Sequence, residues 1–99
     1  MKPFYADYTN HMMRFYIRHR EDKPEFKTAV DEANWNACEE VFNSLSPEEQ
    51  YVIQSLYSQY GMMQDAARCV CEDQGLTPGF VWQLIGDVSA KTARARGLM

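Results

Sequence analysis

Apolar residues recur at spacings of three and four along most of the chain, and this period predicts five helices and no strand. The first helix is expected from about Pro3 to Arg18, with Pro3 in its first turn. Phe4, Tyr8, His11 or Met12, and Phe15 form its apolar stripe, while Asp7, Arg14 and Arg18 fall off it. His19 to Phe26 read as a charged loop in which Pro24 breaks any helix. The second helix is expected over roughly Thr28 to Asn43. Val30, Ala33 or Asn34, Ala37, Cys38, Val41 and Leu45 mark its buried side, widened by Trp35 and Phe42.

The third helix has the clearest start. Ser46 is the N-cap, Pro47 takes the first helical position, and Glu49 completes a capping box. Glu48 and Glu49 also face the positive end of the helix dipole. Val52, Ile53, Leu56, Tyr57 and Tyr60 form the stripe, and Gly61 is expected to end the helix in a left-handed turn. The fourth helix is expected from Met63 to Gln74, with Ala66, Ala67, Val70 and Cys71 as a small-residue face closed by Gly75. Thr77 caps the fifth and Pro78 opens it. Val81, Leu84, Ile85 and Val88 face the core as that helix continues to about Ala95. Gly86 weakens its middle by roughly 1 kcal/mol relative to alanine.

These 99 residues contain no internal repeat, low-complexity segment or dividing linker. The expectation is a compact all-α fold of five helices in a single domain, 1–99. A helical pair over 1–44 buttresses a unit over 45–99 that contains a helix-turn-helix.

That motif is read from Val70 to Ile85. Its first helix needs a small residue where two backbones approach, and Cys71 supplies it. The turn needs a residue that tolerates positive φ, which is Gly75. Leu76 then plugs the corner, Thr77 caps the second helix, and Val81 and Ile85 are its buried branched residues. A plain α-hairpin stopped by glycine is the alternative. From Leu45 to Arg96 the chain resembles region four of bacterial sigma factors and related small transcription regulators. The resemblance rests on Leu45-Ser46-Pro47-Glu48-Glu49-Gln50-Tyr51-Val52-Ile53, continued through Leu56-Tyr57 and the Gly75 corner. It implies a module that binds promoter DNA with its last helix in the major groove and can contact RNA polymerase.

With Val81 and Ile85 in the core, the opposite face of the fifth helix presents Gly79, Gln83, Gly86, Asp87, Ala90 and Arg94. Gln83 reads either as a paired hydrogen bonder to adenine or as a solvated residue. Thr77 or Gly79 can offer a hydroxyl or backbone N–H to phosphate at the helix start. Lys91, Arg94 and Arg96 read either as a grip on the DNA backbone or as cations favoured by the helix dipole. Phe80 and Trp82 flank the buried stripe. They either enlarge the core or form an apolar surface for a protein partner or a second copy.

Charge tempers the DNA reading. The chain carries a net charge of −4, and charge-driven nucleic-acid binding usually needs a basic surface. The cations concentrate instead in two places, the arm His11, Arg14, Arg18, His19 and Arg20 and the tail Lys91, Arg94 and Arg96. The three cysteines, Cys38, Cys69 and Cys71, lack a C-x-x-C spacing and read as reduced thiols, with no metal site and no cofactor. No apolar run reaches the roughly 18 residues of a spanning helix. Asp7 and Arg14 interrupt any secretory apolar region, so a soluble cytoplasmic protein is expected. No phosphate loop, H-E-x-x-H or G-x-S-x-G is present, and nothing in the residues argues for an enzyme.

Overall fold

Side-chain caps fix where three of the five helices begin. The computed structural model describes residues 3–98 and contains α1 (Ala6–His19), α2 (Ala29–Ser44), α3 (Pro47–Tyr57), α4 (Met63–Gln74) and α5 (Pro78–Ala95), with no strand among the described residues. Thr28 caps α2 by accepting the Asp31 N–H at 3.1 Å. The capping box at α3 is complete: Ser46 Oγ accepts from Glu49 N, and the Ser46 N–H donates to Glu49 Oε1 at 3.0 Å. Thr77 Oγ1 accepts the Phe80 N–H at 3.2 Å to open α5. Such caps each satisfy an otherwise orphaned donor, worth about 1 kcal/mol.

Expectations change in the first three helices. Pro3 precedes α1, where its carbonyl accepts the Ala6 N–H in a turn. The buried side of α1 is Ala6, Thr9, Met12, Met13, Tyr16 and Ile17. Tyr8 and Phe15 are exposed, about a third of a turn away around the helix, and Phe4, in the turn before it, is exposed as well. On α2, Val30 is exposed, while Trp35, Cys38, Val41 and Phe42 are buried. The third helix ends at Tyr57, before Gly61. Gly61 has φ +95° but lies in the loop beyond, and Tyr60 is 82% exposed. Arg18 explains that position for Tyr60: its guanidinium lies 3.8 Å above the ring and donates to the Gln59 carbonyl.

α5 is the central element. It packs against each of the other four helices, burying Val81, Leu84, Ile85, Val88, Ser89, Thr92 and Ala93. One continuous core results, drawing on all five helices. Its α1–α2 end is aromatic: Tyr16 and Phe26 meet Trp35 at 4.8 and 5.7 Å between ring centroids. Phe26 shows that the charged loop before α2 also contributes to packing. Two side-chain hydrogen bonds involving buried residues join separate elements. Thr9 and Ser89 share a hydroxyl–hydroxyl hydrogen bond between α1 and α5, and Tyr57 Oη donates to Asn10 Oδ1 at 2.7 Å between α3 and α1.

Candidate functional site

The corner between α4 and α5 follows from Gly75. Its φ of +66° and ψ of +34° lie in the left-handed region, which costs an L-residue with a β-carbon roughly 1–2 kcal/mol. The Leu76 N–H donates to the Cys71 carbonyl at 3.1 Å and closes the end of α4. Cys71 and Leu76 are partly buried against the core. Val81 has no exposure and Ile85 is buried. Gly75 therefore turns the chain between the two helices, Leu76 sits partly buried just after it, and Val81 and Ile85 face the core.

The opposite side of α5 is open to solvent. Gly79, Gln83, Gly86, Asp87, Lys91 and Arg94 are all exposed. Two of the six are glycines, which leaves the surface low and the backbone approachable. Gln83 Nε2 donates to Asp87 Oδ1 at 3.1 Å, one helical turn away. Lys91 and Arg94 stand three residues apart, within reach of one anionic surface, and neither side chain is hydrogen-bonded or ion-paired among the described residues. No acid occupies the first turn of α5, whereas each of the other four helices has one.

The six residues singled out from sequence do not form one cluster. Thr77, Gly79 and Gln83 lie at the start of α5, and Lys91, Arg94 and Arg96 at its end, roughly 20 Å away by helical rise. Thr77 spends its hydroxyl on the cap. Arg96 departs from the sequence reading. It is partly buried, and its Nε donates to Asn34 Oδ1 on α2, while Asn34 Nδ2 donates to Tyr8 Oη on α1. It ties the end of α5 to the amino-terminal pair. The basic arm on α1 is likewise structural in part, because Arg18 covers Tyr60 and Arg20 lies 4.4 Å above the Phe42 ring.

Phe80 and Trp82 are 47% and 46% exposed, so neither is a core residue. Trp82 lines a groove between α1 and α5 that is also bordered by Gly61 and Met62 of the loop and by Met63 and Gln64 at the start of α4, with a volume of about 700 Å³. Arg14, His11 and Asn10 line its α1 side, and Ile85, Gly86 and Ser89 its α5 side. Sequence reading missed this groove. Its members come from three separated segments, and only the off-stripe placement of Arg14 hinted at it.

No protein-family model, characterised protein or solved structure matches this chain. Among the described residues, no helix is long and apolar enough to cross a membrane.

Proposed function

We propose that this chain is a small DNA-binding, transcription-associated protein built on a helix-turn-helix, with α4, the Gly75 corner and α5 as the motif. The observation that carries this reading is the division of α5. Val81 and Ile85 are buried while Gly79, Gln83, Lys91 and Arg94 remain in solvent. In the bound state the acid-free start of α5 offers the backbone N–H of Gly79 to a phosphate, since Pro78 has none and the Phe80 and Val81 N–H groups bond to Thr77. Gln83 exchanges its hydrogen bond with Asp87 for the edge of an adenine. Lys91 and Arg94 contact phosphates farther along. The resemblance of residues from Leu45 to Arg96 to sigma region four supports the same docking, with RNA polymerase as a further partner.

Titration of fluorescent random duplex at two salt concentrations tests the reading. Two free cations at the end of α5 predict a slope of about −2 in log affinity against log salt, near −0.9 per phosphate contact. Lys91→Ala or Arg94→Ala lowers that slope by about one, while Gln83→Ala changes sequence preference and leaves the slope alone. Arg96→Ala acts on stability through Asn34 and not on the slope. Absence of binding at low salt overturns the proposal.

The exposure of Phe80 and Trp82 favours a second reading, a protein-interaction module that docks on polymerase or on a second copy. Under it, sedimentation detects a complex that Phe80→Ser weakens, and duplex has no effect.

A further inference from the structure

We propose that the groove between α1 and α5 is a binding site for a small organic anion, a carboxylate with an apolar body. This inference stands apart from whether α5 meets DNA. Its basis is Arg14. Among the described residues, the Arg14 Nε is buried with no hydrogen-bond partner, and the acceptor for its Nη2 is the Met63 thioether at 3.5 Å. A thioether accepts weakly, and no ion pair joins Arg14 among the described residues. Arg14 as a whole is only partly buried, but a guanidinium nitrogen withdrawn from water without a matching acceptor is unfavourable. A carboxylate on the guanidinium fork supplies two charge-assisted hydrogen bonds in the matching planar geometry.

The remaining walls suit an apolar body. Met62, Met63, Trp82 and Ile85 line the groove beside Arg14, and methionine adapts its shape to what it packs against. A volume of about 700 Å³ lies within the range of small-molecule sites. Asp7 also lines the groove, but it is seven residues from Arg14 on the same helix. That is about 10 Å of rise, comparable to the screening length at physiological salt. The anion therefore seats at the Arg14 end, with its body against Trp82. His11 lies between the two charges on the α1 side.

Tryptophan fluorescence and calorimetry on the full chain, with hydrocinnamate and its neutral amide as probes, test the proposal. Trp82 reports the groove, while Trp35 is buried elsewhere. Hydrocinnamate is expected to give a saturable change, with the amide weaker by roughly tenfold or more. Arg14→Gln should bring the acid down to the affinity of the amide. Gly86→Leu should abolish binding by filling the groove while the helix content stays unchanged, since a side chain at Gly86 meets open space. Equal affinity for acid and amide overturns the proposal. So does undiminished binding in Gly86→Leu, or no saturable signal from the unaltered chain in the millimolar range.

Discussion

Cys38 has no solvent exposure, and burial pushes its thiol up from 9.0 to about 12. Cys69 is exposed and Cys71 half-buried. Because the thiolate is the reactive species, a thiol reagent at neutral pH should label Cys69 first and Cys71 more slowly. Cys38 should react only on unfolding, which mass spectrometry of the labelled peptides will read. The same shift bears on stability. The folded thiol stays neutral up to about 12, whereas the unfolded thiol ionises from near 9. Its stabilising contribution is therefore complete below about 9 and is lost as pH rises toward 12. Tyr57 acts in the same direction, since burial raises its phenol above its ordinary value. Urea midpoints should accordingly be lower at about pH 11 than at about pH 8. A midpoint unchanged across that interval would contradict the burial of both groups.

At the scale of the helix, two glycines separate local rules from packing. An added β-carbon meets nothing within 4 Å at either Gly75 or Gly86, so space does not distinguish them. Backbone conformation does. Gly75→Ala places a β-carbon in the left-handed region and should cost about 1–2 kcal/mol. Gly86→Ala, in the middle of α5 without positive φ, should stabilise by roughly 0.5–1 kcal/mol. Urea unfolding of both variants should show midpoints displaced in opposite directions with similar slopes. These positions also show what was legible in the sequence. Caps and corners are local chemistry, so Ser46, Gly75 and Thr77 announced α3, α4 and α5 correctly. The inner face of α1 was not legible. Its exposed aromatics Phe4, Tyr8 and Phe15 also recur at helical spacing, and size favoured them over the seam actually used. That seam includes Thr9, a polar residue buried because Ser89 on α5 meets it. No periodicity within α1 can reveal a partner eighty residues away.

Across the whole molecule the same non-locality hides the groove, because Arg14, Met63 and Trp82 acquire meaning only when α1, the start of α4 and α5 converge. It also decides whether the carboxyl-terminal unit can exist alone. The sequence suggests a division near residue 44, with the later part carrying its own motif. The packing crosses that boundary. α5 is held by both amino-terminal helices, through the Thr9–Ser89 pair and the chain from Arg96 through Asn34 to Tyr8. Removing residues 1–44 would uncover Val88, Thr92 and Ala93, which the folded chain buries, and would leave Ser89 without its partner. A three-helix remnant of 55 residues is already near the size at which a core becomes marginal. We therefore expect fragment 45–99 to show mostly unfolded circular dichroism and no cooperative melt, while the full chain unfolds in one transition. Adding the 1–44 peptide should restore helicity, since its Trp35 and Tyr16 cluster needs the same core. A stably folded 45–99 fragment would mean that the amino-terminal pair is an accessory and that the motif could have been read, and could act, without it.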